Sequence, residues 1–132
     1  MLIHVLTVKI AATVLVWCLP LLLFPSAWLV AAGLPPDLDW PFLRLLGWAY
    51  LALCVGYGFA WQAARRGEVQ RGPLWMGVTS NGGASVLLWL QGLGGVWSGW
   101  GWLPQLVLWG SAVATALITA GLIHYGLRPA AR

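Results

Sequence analysis

Four apolar runs, at about 3–24, 42–64, 74–93 and 104–127, take up nearly the whole chain, and each is close to the 20 or so residues needed to cross a bilayer as a helix. Spread over 132 residues, four spans leave about 33 residues for each span and its connection. Short loops and no separate soluble domain follow. The predicted fold is an all-α transmembrane four-helix bundle forming one membrane domain over 1–132. Composition agrees, with 61% hydrophobic and only 8% charged residues against roughly 25% charged in a soluble domain.

The charges themselves mark the edges. Lys9, Arg65, Arg66, Arg71, Arg128 and Arg132 fall on the side that holds both termini, and Arg44 alone falls on the other. The positive-inside bias then makes both termini cytoplasmic in a bacterial-type inner membrane. Lys9, early in the first run, is expected to snorkel back to the headgroups. Basic residues confined to membrane edges suit anionic lipid and not nucleic acid. Trp28, Trp40, Trp97, Trp100 and Trp102 form an outer aromatic belt, and Trp61 and Trp75 mark the inner interface.

Prolines and glycines punctuate the runs. Pro20 should kink the first helix or leave a carbonyl for a neighbour to satisfy. Pro25 ends it, a short interfacial segment follows over 26–34, and GLPPDLDWP at 33–41 is a loop. A competing reading takes 1–32 as a cleaved signal peptide, since Lys9, the apolar stretch and the pair Ala31 and Ala32 imitate its parts. The other three spans keep the same orientation either way.

Arg44, one turn inside the outer boundary, is costly without a partner. Asp37 and Asp39 are the only acids on that side, so an ion pair fastening the loop is expected. The alternative is a contact from the guanidinium fork to an anion or a quinone carbonyl, with Trp40, Trp48 or Tyr50 giving flat apolar surface. His4 and His124 both lie toward the cytoplasmic side. They are read as edge histidines bonded to water, backbone or headgroups, with axial ligation of a haem or chlorophyll-type pigment as the alternative. Cys18 and Cys54 are read as small buried hydrophobes, with a disulfide the lesser reading.

Small and polar residues recur at helical spacing. Gly77, Asn81 and Ser85 share one face of the third run; Ser111, Thr115 and Thr119 share one face of the fourth; and Gly56, Ala60 and Ala64 share one face of the second. Such stripes let helices approach and bond across, and a polar substrate pathway is the alternative. From Pro73, Asn81 lies about 12 Å from the inner end, and from Arg128, Thr119 lies about 13.5 Å from it. Asn81 is therefore expected to face Thr119 or Thr115 and clamp the third helix to the fourth.

LLLFPSAWLVAAGLPP at 21–36 followed by FLRLLGWAYLAL at 42–53 resembles the small four-helix membrane proteins of the DoxX-like type. The resemblance covers the first half of the chain. It implies a four-helix integral membrane protein, sometimes associated with quinone-linked oxidation, with Arg44 carried over as a structural pairing residue.

No nucleophile with its base, no carboxylate pair and no metal-ligand cluster is evident, so no catalytic residue and no metal site is expected. The leading expectation for function is a non-catalytic accessory subunit that packs on a larger membrane complex, on a second copy, or on its lipids and cofactors. Eleven tryptophans exceed what two interface belts need, and Trp17, Trp48, Trp89 and Trp109 lie deeper in the spans. The alternatives are a quinone-binding component of a DoxX-like oxidoreductase and a small oligomeric transporter.

Overall fold

A computed structural model describes residues 1–127. Arg128 and Arg132, counted above toward orientation, lie outside the described residues. The described chain is helical, with no strand among the described residues. We label its helices α1 (Leu2–Leu23), α2 (Ser26–Ala31), α3 (Trp40–Arg65), α4 (Arg71–Leu93) and α5 (Trp102–Leu127). By length and composition α1, α3 and α5 can cross a membrane. Helix α4 is as long but less apolar, because it carries Thr79, Ser80 and Asn81.

Proline chemistry shapes α1. Pro20 has no N–H to give to the carbonyl one turn back, and the helix answers by widening: Thr13–Cys18 is π-helical, closed by Leu19 N donating to Val14 O. Pro25 acts twice. It pushes Phe24 out of the helical region, to φ −76° and ψ 135°, and it leaves Leu21 O without the N–H that a continuing helix would supply. Arg44 of α3 fills that gap, its two terminal nitrogens donating to Leu21 O and Phe24 O.

The expected pairing of Arg44 with Asp37 or Asp39 is therefore corrected. Asp39 is instead the N-cap of α3, accepting from Phe42 N at 3.0 Å, ahead of Pro41 in the first turn. The ion pair found among the described residues is Arg66 with Glu68, at 3.6 Å and well exposed. A guanidinium fork finds two fixed carbonyl oxygens nearby, whereas the loop acids keep their contact with water and a helix terminus.

Helices α4 and α5 form the tightest pair. Ser85 Oγ donates to Ala112 O at 3.0 Å, and Gly77 lets Leu122 and Tyr57 close in to where a Cβ would stand, 2.7 Å and 3.1 Å away. At the outer end the two connections cross: Gly101 N donates to Gly33 O at 2.9 Å, and Gly33, at φ 107°, has no room for a side chain against Gly101. A core of Leu6, Tyr57, Ala60, Leu74 and Leu122 ties α1, α3, α4 and α5 together. Ala60 is buried there, and Gly56 faces Met76 of α4.

The outside is apolar as well. Trp48, Leu45, Val55, Phe59, Leu90 and Leu117 are all more than half exposed. A contiguous apolar surface of this kind is rare on soluble monomers and is what a lipid solvent selects.

Replacing Arg44 by Ala should lower stability in detergent by about 2–3 kcal/mol, because two carbonyls lose charge-assisted bonds. Asp37→Asn should leave it unchanged, and Asp39→Ala should cost about 1 kcal/mol as a lost cap. Thermal unfolding of the three variants checks the order, and an Asp37→Asn loss equal to that of Arg44→Ala would restore the ion pair.

Candidate functional site: an interior cavity headed by Lys9 and Asn81

Lys9 does not reach the headgroups. Its side chain turns inward and is 8% exposed, and its Nζ donates to Asn81 Oδ1 at 2.5 Å. The expectation of snorkelling is thus corrected: one turn before the π segment, Lys9 lies on the inward face of α1 with a carboxamide oxygen in reach. Nζ also sits 5.4 Å from the centre of the Tyr57 ring, a cation–π position.

Asn81, 1% exposed, is held from its other end by Nδ2 donating to Gly77 O at 2.6 Å. Tyr57 Oη and Ser80 Oγ share a hydrogen bond of 2.9 Å, and Ser80 Oγ also reaches Gly77 O at 3.3 Å. Gly77 O thus anchors two side chains of α4 and fixes the carboxamide that faces Lys9.

The depth match expected between Asn81 and α5 is present in the neighbouring residue, since a Cβ on Gly82 would lie 3.6 Å from Thr119 Cγ2. The clamp itself is corrected. Thr119 Oγ1 donates to Thr115 O at 2.8 Å, and Thr115 Oγ1 to Ser111 O at 2.7 Å and Ala112 O at 3.2 Å, within their own helix. Threonine in a helix has a carbonyl one turn back always within reach, so its hydroxyl turns there first. Asn81 bonds α1, and Ser85 makes the bond from α4 to α5.

Beyond Lys9 and Asn81 opens a cavity of about 340 Å³ among the four long helices. Lys9, Thr13 and Trp17 line it along α1, at i, i+4 and i+8, so its polar head and its aromatic reach lie about 12 Å apart. Ala84 of α4 and Gly110 and Ala114 of α5 give it width, and Leu88 and Leu106 line it as well. Tyr50 of α3 meets Trp17 edge to face, ring centres 5.8 Å apart. Thr13, Ser80, Ser111 and Thr115 add hydroxyls to a mostly apolar wall.

Several candidates from the sequence stand elsewhere. Arg44 serves the end of α1, and Trp48 points outward, 63% exposed. His4 and His124 are exposed and do not line the cavity, and the His124 ring meets Tyr125 edge to face at 4.7 Å. Cys18 and Cys54 are free thiols, both buried. Among the described residues no group of three His, Cys, Asp or Glu side chains is placed to hold a metal. The site residue that sequence reasoning missed is Lys9. Its signal was a lone cation inside an apolar run.

An amine offers up to three N–H donors, and Asn81 takes one. The remaining N–H positions of Lys9, which lines the cavity, are open to an oxygen acceptor. Compared with known proteins, the chain matches no protein-family model, no curated protein and no solved structure.

Asn81→Leu should destabilise the fold by about 2–3 kcal/mol, because it strands a buried donor. Lys9→Met should cost about 1 kcal/mol, since Asn81 keeps its bond to Gly77. Combining the two should cost no more than Lys9→Met alone. Strict additivity in thermal unfolding would mean that the two side chains do not depend on each other.

Proposed function

We propose that this chain is a four-span membrane protein that holds a flat, carbonyl-bearing apolar ligand of the quinone class in its interior, as a component of a larger membrane assembly. The observation that carries the reading is the Lys9–Asn81 pair at the head of a mostly apolar cavity. A carbonyl oxygen would accept from Lys9 Nζ. The ring would lie in the slot left by Ala84 and Ala114, and an apolar tail would run past Trp17, Leu88 and Leu106. At about 340 Å³ the space lies within the range of small-ligand sites, about 300–1,000 Å³.

The quinone contact first considered at Arg44 moves with this reading to Lys9. Arg44 already gives its terminal nitrogens to two backbone oxygens, while Lys9 has donors to spare. The resemblance of 21–53 to the DoxX-like type supports the same class of ligand. Helix α4 is taken as the fourth span because Asn81 and Ser85 are turned inward, where their polar groups find partners. Arg65, Arg66 and Arg71 at one end against Arg44 at the other support cytoplasmic termini, with Lys9 now removed from the count. The exposed apolar flanks of α3 and α5 suit lipid, other subunits or a second copy.

Titrating the purified protein with a fully substituted, short-tailed benzoquinone should raise its melting temperature in detergent. Lys9→Met should weaken binding by about tenfold, the worth of one hydrogen bond. Ala114→Phe should block binding by filling the slot. No shift for the native chain, or equal affinity after Lys9→Met, would overturn the reading.

A further inference from the structure

Two buried thiols stand behind the wall of this cavity. Trp17 and Tyr50 meet edge to face across α1 and α3, Cys18 follows Trp17, and Cys54 lies one turn from Tyr50 on the same side of α3. Cys18 is 2% and Cys54 7% exposed, and Leu6 and Tyr57 continue the same seam as part of the core. Both sulfurs are thereby enclosed in one interface. Cys18 and Cys54 are neighbours across this seam, and the Lys9 amine stands 5.4 Å from the centre of the Tyr57 ring, one turn along α3 from Cys54. Trp17 and Leu53, their immediate neighbours in sequence, line the cavity, as does Lys9 itself.

Packing alone asks for nothing so specific. Two small hydrophobes in a helix seam need not face each other, and neither needs an amine beside it. We propose that Cys18 and Cys54 form a dithiol–disulfide couple that passes two electrons to a quinone held in the cavity, an inference that rests on the quinone reading of the site.

The step balances within the two partners. The two S–H bonds break, one S–S bond forms between Cys18 and Cys54, and the electron pair released reduces the quinone ring. The two protons finish on the two ring oxygens as a quinol. Lys9 acts here as a positioning residue, holding one quinone oxygen on the thiol side of the cavity. Burial keeps water-borne oxidants and other thiols from competing, so the couple answers to what dissolves in the membrane.

The test uses the reduced full-length protein in detergent, without oxygen, and a fully substituted short-tailed benzoquinone that thiols do not readily alkylate. Quinol is read by absorbance, and free thiols by the gel shift of a polymer-linked maleimide after denaturation. We expect both thiols to disappear together with one quinol formed per chain. Cys18→Ser and Cys54→Ser should each slow quinol formation by about a hundredfold, since a single thiol has no resolving partner. Lys9→Met should slow it by about tenfold at low quinone, and the native rate should return at high quinone.

Thiols that persist while quinone still raises the melting temperature would overturn the couple and leave the binding site standing. Loss of one thiol with the mass of a quinone adduct would also overturn it. If quinone neither binds nor consumes thiols, the reading of the site fails and the couple fails with it. The native chain alone decides between these outcomes, so poor folding of a serine variant leaves the test intact.

Discussion

Hydrocarbon offers no partner to a backbone carbonyl, and the first helix of this protein breaks its own hydrogen-bond ladder twice. Pro20 and Pro25 each remove a donor where lipid cannot supply another. The fold answers the first with a π turn over Thr13–Cys18 and the second with Arg44. Each repair has a structural consequence. Holding Leu21 O and Phe24 O fastens the outer end of α1 to α3, and the wide turn re-phases the faces of α1 on either side of it. Lys9 before the turn and Trp17 within it both come to line the cavity.

Helix α4 shows the complementary solution. Its glycines, serines and Asn81 make it the least apolar of the long helices, yet the polar groups are consumed internally. Gly77 O takes Asn81 and Ser80, Asn81 takes Lys9, and Ser85 takes Ala112 O. Most of what faces outward, such as Trp75, Val86, Leu87 and Leu90, is apolar, with Thr79 and Gln91 the exposed polar side chains beyond the first turn. A mean over the sequence averages the two faces and so understates how well such a helix suits lipid.

Much of the architecture was legible because it rests on length, composition and punctuation. The helices over Leu2–Leu23, Trp40–Arg65 and Trp102–Leu127 follow from apolar runs, and the breaks at Pro25 and Gly33 follow from local stereochemistry. The site was only half legible. Asn81 declared itself as an amide too costly to leave alone in hydrocarbon, but its choice of Lys9 over the threonines depends on which faces of α1 and α5 point inward. Arg44 likewise declared its need for a partner, and the sequence offered two acids as the obvious ones. Backbone acceptors do not appear in a list of side chains. The carbonyls that Arg44 holds became visible only by asking which oxygens Pro25 leaves without a donor.

The cavity is not sealed, since Leu106, which lines it, is 61% exposed. In a membrane the competitor always present there is a lipid acyl chain. An acyl chain can line up against Leu88, Leu106 and Trp17, but it brings no acceptor to Lys9. A ligand with a carbonyl oxygen makes the same apolar contacts and adds a hydrogen bond in a place where water is scarce. On the proposed reading, discrimination between lipid and ligand falls chiefly on Lys9, which the fold has turned inward and which Asn81 holds there.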